Sequence, residues 1–128
     1  MKVEEIIFSI LSTDSSIYDI VSDNIFPLRV AQGKQVPFLA YTIKSIEPNS
    51  GKKELSEVDT YLIDVDIFSD SYSQLITLVD LVRDNFEANT FTADGVLCDF
   101  DFLTIREDYK NDAQLFSRTV SIIAHYSK

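Results

Sequence analysis

Thr60-Tyr61-Leu62-Ile63-Asp64-Val65-Asp66-Ile67-Phe68, with the run from Ser69 to Phe86 behind it, decides the fold. Tyr61, Ile63, Val65 and Ile67 recur at period 2, while Thr60, Asp64 and Asp66 take the other side. Successive side chains of a strand point to opposite faces, so this is a half-buried strand. Ser69-Asp70-Ser71 breaks it. Ser71 and Gln74 have the spacing of a capping box, in which each side chain satisfies an orphan donor of a new helix. Leu75, Leu78, Val79, Val82 and Phe86 then follow at helical spacing as one apolar stripe. A helix that starts directly after a strand can fold back and bury that stripe on Tyr61, Ile63, Val65 and Ile67.

Outward from this unit, the N-terminal side is helical and then extended. Val3, Ile6, Ile7, Ile10 and Leu11 define an amphipathic helix with Glu4 and Glu5 at its positive end. Ile17, Ile20 and Val21 predict a second short helix, capped by Asp14 or Ser15. Asn24 to Leu28 reads as a short extended piece whose Pro27 belongs at an edge or a strand end. A polar loop from Arg29 to Gln35 leads to Pro37 and a strand over Phe38 to Ile46. Glu47 to Glu57 is a long turn, expected to join two strands of a hairpin. Its length marks it as a functional or mobile segment.

On the C-terminal side, Glu87 to Asp94 reads as a loop. Val96 to Glu107 reads as a strand, with Cys98, Phe100, Phe102 and Thr104 on one face. Leu97, Asp99, Asp101, Leu103 and Ile105 fall on the other. Leu115 to Tyr126 is the last strand. The expected fold is α+β over one domain, residues 1–128. It is a mainly antiparallel sheet of about four to five strands with two main helices packed on one face.

Bulk composition narrows the function. The 128 residues carry 21 acidic and 11 basic side chains, a formal net charge of −10. So acidic a surface repels phosphate, which argues against tight nucleic-acid ligands and against anionic membranes. One cysteine cannot form an internal disulfide, and nothing reads as a signal peptide or as the ~20 apolar residues of a membrane span. A cytoplasmic origin is expected.

No catalytic constellation emerges. His125, the one histidine, lies among apolar residues beside no nucleophile and reads as structural. Cys98 shares a face with Phe100 and Phe102 and reads as an inert, buried thiol. Asp64 and Asp66 share one strand face, as do Asp99 and Asp101. If the two strands were neighbours, four carboxylates could gather and hold Mg²⁺ or Ca²⁺. A solvated face, or an acidic face turned toward an interface or a lumen, are the other readings. No phosphate loop, zinc spacing or aromatic-basic stripe is present. No cofactor is expected.

Read end to end, the chain resembles the tail terminator proteins of long-tailed bacteriophages, also called tail completion or tail-to-head joining proteins. The similarity runs through Asp14-Ser15-Ser16-Ile17-Tyr18-Asp19-Ile20-Val21, Asn24-Ile25-Phe26-Pro27 and Val36-Pro37-Phe38-Leu39-Ala40-Tyr41. It continues through Val65-Asp66-Ile67-Phe68-Ser69-Asp70-Ser71-Tyr72 to Arg118-Thr119-Val120-Ser121-Ile122. None of these is a catalytic signature; order and spacing carry the likeness. The resemblance implies a structural virion protein, not an enzyme, that caps the tail tube and stops its polymerisation. It implies a ring, commonly of six copies, that forms the tail side of the head–tail joint around the channel DNA crosses. The partners are then other copies of itself, the tail tube protein and the head connector or stopper. DNA passes without tight binding, and the protein is assembled in the host cytoplasm from copies that are monomeric in solution.

On that reading, some of Asp64, Asp66, Asp99 and Asp101 are expected to face the channel or flank it. Arg29, Lys34, Pro48, Asn49, Lys52 and Lys53, in two loops, are expected to meet neighbouring copies as basic points on an acidic protein. Solubilising loop charge is the alternative for these. The rival functions are a head-completion or stopper connector, an acidic metal-dependent enzyme and a small regulatory binding module.

Overall fold

A computed structural model describes residues 2–27, 36–48, 58–93, 95–110 and 115–127. Three helices and six strands lie among them: α1 (Val3–Thr13), α2 (Ser15–Val21), β1 (Ile25–Pro27), β2 (Phe38–Pro48), β3 (Val58–Ser69), α3 (Tyr72–Phe86), β4 (Asn89–Ala93), β5 (Val96–Lys110) and β6 (Leu115–Ser127). The strands form one sheet in the order β1-β2-β3-β6-β5-β4. Every pairing is antiparallel except β1 with β2. The α+β class and the predominantly antiparallel sheet are as expected. The counts are higher than the four to five strands and two main helices the sequence suggests.

The added strand is β4, where the sequence reads as a loop. Asn89-Thr90-Phe91-Thr92-Ala93 offers a single large apolar residue, too little to show alternation. It is a strand because it pairs with Val96–Phe100 across a turn at Gly95, whose φ is +76°. That left-handed conformation suits glycine, which has no Cβ to clash.

The strand–helix unit sits where it was expected. β3 lies between β2 and β6, and Ile63, Val65 and Ile67 are fully buried on one face. Leu75, Leu78, Val79, Val82 and Phe86 of α3 are buried against the same core, together with Val3, Ile6, Ile7, Ile10 and Leu11 of α1. Each such side chain contributes roughly 1.5–3 kcal/mol by leaving water. Across the sheet, the rows Ile43–Ile63–Ile122–Phe102 and Tyr41–Val65–Val120–Ile105 floor this core.

The start of α3 is capped differently from a simple box. Ser71 Oγ accepts from the Gln74 amide at 3.4 Å. Gln74 does not reach back to the Ser71 amide. Ser69 Oγ takes that role, accepting from the Ser71 amide at 3.0 Å and donating to Gln74 Oε1 at 2.8 Å. The buried end of β3 thus completes the cap of the helix that follows it.

Asp14 fastens the helices to one another. It caps α2 by accepting from the Ile17 amide at 3.0 Å, and accepts from Asn85 Nδ2 on α3 at 2.8 Å. Burial pushes its pKa up, but Asn85 and the amides of Ile17 and Ser16 outweigh that and hold it below the ordinary 3.8. A depressed carboxyl stabilises the fold above its unfolded pKa and loses that contribution as pH falls through its folded value. Asp14→Asn, which keeps a capping oxygen without the charge, should flatten the acid limb of the stability curve. Urea melts of both proteins from about pH 5 down to about pH 2 check this. Parallel curves would show that the charge contributes nothing.

Two bulges interrupt the strand pairs on either side of the central β3–β6 pair. The register shifts between Ile43 and Ser45 in β2, and between Phe102 and Thr104 in β5. Beyond the second one, Thr104 stands opposite Ser121 and Ile105 opposite Val120. The faces expected for Thr104 and Ile105 are therefore exchanged, because one extra residue inverts the alternation. β4 covers only Val96–Phe100 of β5, so among the described residues Asp101–Lys110 has no strand on its far side.

Candidate functional site

With the helices on one face, the other face of the sheet is left with mixed chemistry. Asp64, Asp66, Asp99 and Asp101 all project there, in register with Ser121, Thr119, His125 and Ile123 of β6. They share a face but do not gather. β6 separates β3 from β5, and adjacent strands lie about 4.8 Å apart, so the two pairs are two strand spacings distant. They are also displaced along the strands: Asp99 and Asp101 lie level with Thr60 and Leu62, not with Asp64 and Asp66. Among the described residues no three His, Cys, Asp or Glu side chains group as metal ligands.

Each acid has its own surroundings. The Asp64 side chain is only 8% exposed; it accepts from Ser121 Oγ at 2.7 Å and pairs with Arg106 Nη2 at 3.1 Å. Lys44 Nζ lies 3.9 Å away. Asp66 accepts from the Thr119 hydroxyl, and Asp99 from Thr90 Oγ1 at 2.7 Å. Asp101 is exposed. Asp64 is therefore paired with two cations, whereas among the described residues Asp66, Asp99 and Asp101 form no ion pair.

Arg106 could not be placed from the sequence. Strict alternation through β5 puts it with Cys98 and Phe100 in the core. The bulge at Leu103 moves it to the acidic face.

His125 is exposed on the same face, its Nδ1 3.3 Å from Thr60 Oγ1. Cys98 is fully buried under the helices. Burial, with the Asp99 carboxylate adding to it, pushes its thiol up to about 12. The folded protein should therefore resist maleimide at mildly alkaline pH and react once unfolded in guanidinium. Rapid labelling of the native state would contradict this burial.

At the sheet end near Ser69, Glu107 Oε1 accepts from Tyr72 Oη at 2.7 Å and from Arg118 Nε at 2.8 Å. These two hydrogen bonds lower the Glu107 pKa. They tie the first residue of α3 to β5 and β6.

Of the loop residues expected at an interface, Pro48 closes β2, exposed, opposite Asp59. Arg29, Lys34, Asn49, Lys52 and Lys53 lie outside the described residues.

The helix side holds a feature the sequence did not announce. Three adjoining hollows of about 420, 620 and 430 Å³ run beside α1, and Glu4 lines all of them. Ile46 is 52% exposed and Phe8 45% exposed along their walls. Phe8 departs from the apolar stripe of α1, and Ile46 follows the β2 bulge; those departures were the available signals.

Among the described residues, the polar chemistry is thus spread over a sheet face and the apolar hollow lies beside α1. No helix among the described residues is long and apolar enough to cross a membrane. A family model described as Tail completion protein gp17 matches residues 5–127. The chain belongs to that family, and so is a structural component of a phage-type virion tail. A search of curated proteins found no match. Among solved structures, a chain in the virion of a native gene transfer agent particle is similar in fold. The TM-score is 0.75 at 11% identity, over 95% of this chain and 92% of that one.

Proposed function

We propose that the protein caps a phage tail tube as a ring of six copies, stops tube polymerisation and forms the tail side of the head–tail joint. The observation that carries this is membership of the tail completion family along residues 5–127. Size is consistent with it. A compact chain of this length has a radius of gyration of roughly 14 Å, and six such bodies in a circle leave an opening roughly 36 Å wide. A DNA duplex fits through that.

The acidic face of the sheet lines or flanks the channel in this reading, with Asp66, Asp99 and Asp101 supplying the field. Carboxylates release no counterions from DNA, so the duplex slides past without sticking. Arg29, Lys34, Pro48, Asn49, Lys52 and Lys53 meet the neighbouring copies, the tail tube and the head connector.

Deleting the gene tests the role. Over-long tubes that fail to join heads support it; tails of normal length joined to heads refute it. Copurification with portal and not with tube protein would move the protein to the head side. For the channel, the triple variant Asp66→Lys, Asp99→Lys, Asp101→Lys should retard duplex DNA on a native gel where the parent does not.

A further inference from the structure

We infer that the hollow around Glu4 receives the Lys52–Lys53 segment of a second copy of this chain. The inference rests on the ring proposed above and names one of its contacts.

The hollow is built for a cation on an apolar stem. One wall carries Glu4 and Asp59, with one cation, Lys2, beside them; Ile46, Tyr61 and Tyr126 supply apolar surface. Next to it, Pro27, Tyr41 and Phe8 extend the apolar floor past Glu4 and Glu5. Glu4 lines the hollow beside both Tyr41 and Tyr61; burial first, and the Glu4 carboxylate second, raise the pKa of both tyrosines. A lysine lays its methylenes along apolar surface while its ammonium reaches a carboxylate or a ring face.

The chain itself has a matching group. Lys52-Lys53 is its one pair of adjacent basic residues, in a protein of net charge −10. The pair lies in residues 49–57, a nine-residue span tethered at Pro48 and Val58. Ring contacts are heterologous and join one patch to a different patch on the next copy. A basic segment and an acidic, apolar hollow on one chain are such a pair.

Two single variants, Glu4→Cys and Lys53→Cys, test this when mixed and assembled on tail tubes. The buried native Cys98 does not interfere. A short bismaleimide should then join one variant to the other, a product only contact between copies can give. Rings that form without that product overturn the inference and leave the ring standing. A Glu4–Lys53 link within one chain of the double variant, in place of a link between chains, also overturns it. Absence of rings from the parent protein removes both. Independently, Glu4→Lys should weaken ring assembly about tenfold, and adding Lys52→Glu with Lys53→Glu should restore it. Circular dichroism of each variant confirms folding.

Discussion

Phe86→Ala should lower the unfolding free energy by about 3–5 kcal/mol, the usual cost of emptying a large aromatic site in a core. Phe86 is fully buried at the last residue of α3 and meets Phe100 of β5 edge-on, ring centroids 5.2 Å apart. The contact carries the end of the helix onto the strand beyond β6. With a total stability of about 5–15 kcal/mol for an ordinary domain, such a loss leaves a marginal protein. The urea midpoint should fall sharply with little change in slope. Tyr18→Ala, at a side chain 46% exposed, is the matched control and should move stability by less than about 0.5 kcal/mol. Equal effects from the two would mean that the end of α3 is not seated on the sheet.

The second large effect belongs to Asp64. Removing it with Asp64→Ala takes the acceptor from Ser121, itself 2% exposed, and from Arg106. The expected cost is about 2 kcal/mol, since a buried hydroxyl loses a charged partner. Arg106→Ala should cost less, because the arginine is 59% exposed and Lys44 remains near the carboxylate. A double-mutant cycle on Asp64 and Arg106 reads their coupling directly. Additive effects would mean that the cross-strand bridge contributes nothing.

The parts of this fold legible in advance are those where period and burial agree. β3 and α3 carry unbroken repeats of 2 and 3.6, so their faces could be read directly. Register was the hidden quantity. A single extra residue at Leu103 exchanges the faces of Thr104 and Ile105 and brings Arg106 out beside Asp64, and no local composition announces it. Strand order was hidden for a related reason. Nothing in β3 or β5 says that β6 inserts between them, yet this keeps the two acid pairs apart. The hollow at Glu4 needed the packing of α1 against β1 and β2, a contact between elements well separated along the chain.

The stretch Asp101–Lys110 of β5, which no strand covers among the described residues, has a consequence of its own. A long bare strand can recruit identical strands and seed fibres, a hazard for any subunit stockpiled before use. Here the kink at Leu103 spoils the flatness such stacking needs, and the charged Arg106 and Glu107 penalise self-similar neighbours. The bulge and these charges therefore make this edge a poor template for adding further strands.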